Sequence, residues 1–209
     1  MHRSAFSLSQ LSRRFAPRFA SRSIAHTVLD LSRVVRVAVG ALIAGAVLIA
    51  CSPTYDWRTI MNNDNGYTVD LPAKPDTDER TIDIGGTQMK MSMQTAEAGH
   101  AVFAIGTVML PDDDPQMQQA ALDFLRTGLA RNLGATPESN ATQIPLAAGG
   151  QVPGLEMAFS GKAGPQQEAR TLHARLVVHG RHVYQAAVIA DRELPVEQLD
   201  QFFQSFKLY

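Results

Sequence analysis

The sequence is short of several features, and each shortage excludes a class of protein. Cysteine occurs once in 209 residues, at Cys51, so a disulfide within the chain is excluded. Uninterrupted apolar runs stay below the roughly 20 residues that a membrane-spanning helix needs. The sequence also lacks a Gly-x-Ser-x-Gly elbow, a phosphate-binding loop, a dinucleotide fingerprint, a His-Glu-x-x-His helix and a carboxylate pair at catalytic spacing. We therefore predict a protein without enzymatic activity and without a cofactor.

Neither sign of charge is in excess over the whole chain, where the formal net charge is −1, but its two parts differ. Residues 1–51 contain seven of the 19 basic residues and one of the 20 acidic residues, which gives +6. Residues 52–209 contain the other 12 basic and 19 acidic residues, which gives a formal net charge of −7. Because this acidic part offers no basic patch for phosphates, nucleic-acid binding is not expected. Hydrophobic residues make up 45% of the chain, which is typical of a folded protein.

A short apolar run precedes the single cysteine. Residues 37–50 carry no charge, and Arg33 and Arg36 lie just before them. A basic flank followed by an apolar core of this length is typical of a secretion signal. The run ends in Leu48-Ile49-Ala50-Cys51, which resembles the lipobox of bacterial lipoproteins.

The resemblance implies that Cys51 carries diacylglycerol, that the leader is cut before it and that the new amino group is acylated. Stable anchoring needs two or more such chains, since each buried CH₂ contributes about 0.8 kcal/mol. The protein is then expected in the cell envelope, facing the periplasm, and Ser52 favours the outer over the inner membrane. A free thiol in an uncleaved anchor and a chance cysteine stay open as alternatives. The predicted organisation is a leader and signal peptide over 1–50, a lipidated tether over 51–65 and a globular domain over 66–209.

Alternation of apolar and polar residues predicts that the globular domain is built on strands. Gly85-Gly86 and the stretch from His179 to His182 have the composition of tight hairpin turns, and a turn is also predicted over 161–165. Residues 135–150 predict a loop or an irregular strand, because they are rich in Ala, Thr, Pro and Gly. Strands are predicted over residues 67–71, 80–84, 87–96, 100–110, 154–160, 168–178 and 182–190.

Two helices are predicted among these strands. Asp114 suits the cap and Pro115 the first position of a helix that Gly134 would end. Pro195 begins a second helix near the C-terminus. Trp57, in the predicted tether, is expected to pack on the domain, because tryptophan is seldom fully exposed. Short connections between strands, with helices set apart from them, predict an α+β domain with a mainly antiparallel sheet.

Three stretches of the domain resemble the Mog1/PsbP-like family. They are residues 66–75, which read as a strand ending in a Pro-x-x-Pro turn, residues 153–156, and the Phe-rich segment 202–207. The resemblance implies an α/β/α sandwich, in which helices flank a curved, mainly antiparallel sheet. It implies no shared chemistry and no functional residue, since members look like assembly factors or binding modules.

Histidines near the predicted hairpin turn are the best candidates for a metal site. His179 and His182 would flank the turn and lie opposite each other, and neutral imidazole is a common ligand of zinc and copper. His173 lies six residues before His179, roughly 20 Å along a strand, so only one of them can share a metal with His182. His100 is a possible further ligand. The alternative is that these are solvated surface histidines.

A methionine stripe is the second candidate. Met89, Met91 and Met93 share one face of a predicted strand. Thioethers bind soft metals such as Cu⁺, but methionines at strand spacing more often fill a core.

Two functions from different classes follow from these observations. The first is a lipid-anchored envelope protein without enzymatic activity that binds, or assists the assembly of, another envelope component, with the membrane as its second partner through the lipid on Cys51. The alternative is a small-ligand or metal-binding periplasmic module that uses the histidines or the methionine face.

Overall fold

The fold is taken from a computed structural model that describes residues 53–209 except Pro137 and Pro165. The leader, Cys51 and Ser52 lie outside the described residues. The elements are β1 (Arg58–Asn62), β2 (Tyr67–Leu71), β3 (Asp76–Ile84), β4 (Thr87–Ala98), β5 (Ala101–Met109), α1 (Pro115–Asn132), β6 (Asn140–Pro145), β7 (Gln151–Ala163), β8 (Glu168–His179), β9 (His182–Ala190), α2 (Val196–Ser205) and β10 (Lys207–Leu208).

The strands form two antiparallel sheets. Seven of them make the large sheet, in the order β3-β4-β5-β9-β8-β7-β6, and the small sheet has the order β1-β2-β10. Two helices accompany these strands, so the α+β class is confirmed. None of the helices in the described part of the chain has the length and apolar character to cross a membrane.

Each face of the large sheet has its own apolar core. Strand β9 shows why, because successive side chains point to opposite faces. Val183 and Ala187 belong to the core that α1 covers. Tyr184 and Ala186 belong to the core that includes Phe202 of α2 and residues of the small sheet. The large sheet is therefore the middle layer of the domain.

The start of α1 confirms the predicted cap. The Asp114 carboxylate accepts a hydrogen bond from the Met117 N–H at 3.0 Å, and Pro115 is the first helical residue. The helix ends at Asn132, and Gly134 follows with a φ of 61°, a left-handed conformation that glycine adopts without strain.

The methionine stripe fills the core beneath α1. Met89 and Met91 are buried there, and Met93 packs against them from the margin. A Cβ at Gly106 of β5 would lie 2.8 Å from Met91 Cε and 2.9 Å from Met93 Sδ. The two methionines therefore occupy the space that Gly106 leaves empty. Of the two interpretations of the stripe, core filling and metal binding, this arrangement supports core filling.

The folded part begins earlier than the sequence predicts. Residues 58–62 lie in the predicted tether, but they form β1 and pair with β2. Trp57 packs against Phe103 with ring centroids 5.7 Å apart, as expected for this residue. The predicted boundary at residue 66 is therefore corrected to a position before β1.

Two further predictions are corrected in the middle of the chain. Residues 135–150, predicted as a loop or an irregular strand, contain the regular strand β6, which pairs with β7. Strand β7 is longer than the predicted 154–160, because Gly161 to Ala163 stay in register with β8 instead of turning. The predicted turn at 161–165 thus begins too early.

Candidate functional site

The turn between β8 and β9 brings two histidines together. His179 and His182 are directly opposed in the antiparallel register, so both side chains lie on the same face of the sheet. Gly180 and Arg181 make the turn between them, and Gly180 has a positive φ of 56°, as a tight hairpin requires. We call residues 179–182 the histidine hairpin. The predicted opposition of the two histidines is confirmed.

His182 has an environment that favours neutral imidazole. Burial lowers the pKa of His182, and the neighbouring Arg181 and His179 lower it further. Its ring lies 5.6 Å from the ring of Tyr184. Its Nε2 atom is buried and has no hydrogen-bond partner among the described residues. A neutral imidazole with a free ring nitrogen is the form that coordinates a metal.

The strand on the other side of β9 adds a sulfur. Met109, at the end of β5, is the direct cross-strand partner of His182 and so lies on the same face. The order of Met109, His182 and His179 across β5, β9 and β8 makes a single row of three potential ligands. Directly opposed residues have Cβ atoms about 5 Å apart.

Neighbouring groups tie this hairpin to the start of α1. The Arg181 guanidinium donates to the Pro111 carbonyl at 3.1 Å and approaches Met109 Sδ at 3.7 Å. The Gln118 amide donates to the Gly180 carbonyl at 2.9 Å. The position of the hairpin is thus fixed by contacts from outside its own two strands.

His173 and His100, the other two histidines of the described residues, lie elsewhere. His173 pairs with Ala158 and Val188 on its neighbouring strands and lines a separate polar depression with Arg126 and Glu156. His100 lies in the turn between β4 and β5, at the opposite end of the sheet from Met109. Neither joins the histidine hairpin. Among the described residues, no group of three His, Cys, Asp or Glu side chains is arranged to hold a metal ion.

A second candidate is a polar groove between α2 and the outer face of the small sheet. Its volume is about 630 Å³. Asp70 of β2, with Glu197 and Asp200 of α2, contributes three carboxylates, against one amine from Lys207. We call this depression the acidic groove. Its other lining residues are Thr59, Thr68, Gln201, Gln204 and Ser205.

The carboxylate of Asp70 is held in place at the floor of the acidic groove. It accepts hydrogen bonds from the Thr59 hydroxyl at 2.7 Å and from the Gln201 amide at 2.6 Å. The backbone N–H of Asp70 donates to the Ser205 hydroxyl at 2.8 Å, which joins β2 to the end of α2. Glu197 and Asp200 are exposed on the helix above it. The groove thus combines one hydrogen-bonded carboxylate with two exposed ones.

Two buried tyrosines, Tyr67 and Tyr184, have a structural role. Tyr67 donates to the Gln94 side chain at 2.7 Å, and Tyr184 donates to the Asn65 carbonyl at 2.8 Å. Burial raises the pKa of Tyr67 to about 12, and burial likewise raises the pKa of Tyr184. Both phenols therefore stay protonated and serve as hydrogen-bond donors. The Tyr67 hydroxyl joins β2 to β4, and the Tyr184 hydroxyl holds the turn before β2.

Sequence reasoning found the two histidines but missed Met109 and the acidic groove. Met109 reaches His182 only because β5 pairs with β9. The acidic groove forms only because α2 packs against the small sheet. Cys51, the predicted lipidation site, lies outside the described residues. Compared with known proteins, the chain matches no family model, and no curated protein matches it significantly in sequence.

Proposed function

We propose that the protein is a lipid-anchored component of a bacterial cell envelope whose folded domain binds another envelope protein through the acidic groove. The observation that carries the proposal is the tetrapeptide Leu48-Ile49-Ala50-Cys51 directly after an uncharged apolar run. In this proposal Cys51 becomes the acylated N-terminus. The domain faces the periplasm, and Ser52 favours the outer membrane.

The start of the folded domain supports this arrangement. Only Ser52, Pro53 and Thr54 separate Cys51 from Tyr55, whose ring stacks on that of Trp57 at 5.9 Å. The apolar run therefore ends shortly before the domain begins, as an anchor at Cys51 requires. Four residue steps span about 14 Å at most, so a lipid on Cys51 would hold Tyr55 near the membrane.

The acidic groove supports the binding part of the proposal. It is open, and two of its three carboxylates, those of Glu197 and Asp200, are exposed. It lies on the small sheet, in which β1 is an edge strand. Exposed carboxylates beside a sheet edge suit an extended segment with Lys or Arg side chains. The partner is therefore proposed to present a basic segment.

The layer order supports a finer description of the fold. We propose that the domain is a Mog1/PsbP-like sandwich. What supports this is the placement of α1 on one face of the large sheet and α2 on the other. The Pro-x-x-Pro turn follows β2. The Phe-rich segment 202–207 contains the end of α2 and the first residue of β10. An experimental structure with a different layer order would contradict this description.

Cross-linking in intact cells tests the binding proposal. A photoreactive residue at Gln204, which is exposed in the acidic groove, is expected to form one main adduct with another envelope protein. Reversing charge with Glu197→Lys and Asp200→Lys is expected to lower the yield about tenfold, because the basic segment is repelled.

The matched control changes the same number of charges elsewhere. Asp76→Lys and Asp78→Lys lie on the exposed edge strand β3 and should leave the adduct unchanged. An adduct that survives reversal in the groove, or that both double variants weaken equally, would contradict binding through the acidic groove.

A further inference from the structure

We propose that His179, His182 and Met109 form a binding site for Cu⁺ at the end of the large sheet. This site goes beyond the proposed function, since it depends on neither the lipid anchor nor the acidic groove. It is carried by the row that the three residues form across β8, β9 and β5, in which each is the direct cross-strand partner of the next.

The spacing of the row suits a single metal ion. Adjacent members have Cβ atoms about 5 Å apart, and imidazole nitrogens and thioether sulfurs reach several ångströms beyond Cβ. All three side chains lie on one face of the sheet, and each is partly exposed. The buried Nε2 of His182, unpartnered within the described residues, is the polar atom that coordination would satisfy.

The donor set selects the metal. Two imidazoles and one thioether form a soft to borderline set that suits Cu⁺. Zn²⁺ takes thiolate, imidazole and carboxylate ligands, and the described residues bring no third His, Cys, Asp or Glu side chain to this site. Met109 is therefore the residue that distinguishes a copper site from a zinc site.

The positive charges around the row favour a monovalent over a divalent metal ion. The Arg181 guanidinium lies 3.7 Å from Met109 Sδ. Lys90 is the cross-strand partner of Met109 on β4, although its amine pairs with Glu79 at 2.8 Å. Repulsion from these cations is half as large for Cu⁺ as for a divalent ion at the same distance. Arg181 is exposed, so its side chain can move away when the site fills.

The test is a Cu⁺ titration of the full chain carrying Cys51→Ser, purified in detergent without oxygen, against a chromogenic Cu⁺ chelator. The substitution removes the only thiol and makes the result independent of lipidation. We expect the protein to withdraw one Cu⁺ from the chelator. X-ray absorption of the loaded protein should show two nitrogen neighbours and one sulfur neighbour.

Variants then assign the ligands. Met109→Leu keeps the side-chain volume and should weaken Cu⁺ binding by about tenfold or more, as should His179→Asn and His182→Gln. The matched controls are Met61→Leu and His100→Gln, because Met61 is 70% exposed on β1 and His100 lies at the other end of the sheet. Thermal melting checks that each variant is folded.

Three results would overturn the proposal. They are no Cu⁺ withdrawn by the parent chain, binding unchanged in Met109→Leu and His182→Gln, and binding of Zn²⁺ alone with no effect of Met109→Leu. The titration uses a chain that cannot be lipidated at Cys51. An absence of lipid on the native protein would therefore contradict the proposed function and leave the copper proposal open to its own test.

Discussion

Gly161→Ala is expected to lower the free energy of unfolding by about 3 kcal/mol, because a methyl group at this position has no space. A Cβ on Gly161 would lie 2.0 Å from the carbonyl oxygen of Leu133 and 2.8 Å from Leu133 Cβ. The neighbouring Lys162 N–H donates to that same carbonyl at 3.1 Å. Relief of the clash would pull the segment after α1 away from β7, which breaks this hydrogen bond and moves the buried Leu133.

The control is a glycine with open space around it. Gly128 lies within α1, and apart from the neighbouring backbone of that helix no atom lies within 4 Å of the Cβ that alanine would add. Gly128→Ala is expected to raise stability by about 0.5–1 kcal/mol, since alanine is the better helix former. Thermal unfolding followed by far-ultraviolet circular dichroism measures both variants. A Gly161→Ala protein as stable as its parent would contradict the close approach of Leu133 to β7.

Phe103→Ala is the second change with a large expected effect, a loss of about 3–5 kcal/mol. Phe103 is fully buried, and its ring lies 5.7 Å from Trp57, 6.3 Å from Tyr55 and 5.4 Å from Phe202. It therefore connects the first residues of the domain, the centre of the large sheet and α2. Truncation leaves a cavity among three aromatic rings and removes their edge-to-face contacts.

Phe124→Ala is the matched control, because the same side chain is 42% exposed there on α1. Its expected cost is smaller, about 1–2 kcal/mol, since a large part of this ring stays in water in the folded protein. Equal losses of melting temperature for the two variants would mean that Phe103 does not lie at the centre of the core that α2 covers.

Local patterns predicted much of this fold. Strand β2 matches the predicted 67–71, the Gly85-Gly86 turn joins β3 to β4, and the Asp114 cap starts α1. In each case the cause lies within a few residues of the effect: alternation along a strand, glycine at a tight turn, and a carboxylate beside free N–H groups.

The rest depends on contacts between distant parts of the chain. Strand β1 has the polar composition of a tether and becomes a strand only by pairing with β2. The local sequence predicts a turn at Gly161. The need for glycine there comes instead from Leu133, the residue after α1, which lies against it. Met109 gains its place next to His182 from the pairing of β5 with β9, which no local pattern shows. The candidate sites are set by such pairings.

The intact mass of the protein from its native membrane fraction, with Cys51→Ser as control, tests the central claim most directly. The account predicts the mass of residues 51–209 plus a diacylglycerol and an acyl chain, and no such species for Cys51→Ser. A mass that retains residues 1–50 without lipid would contradict it, because Cys51 would then be an ordinary thiol behind an uncleaved leader.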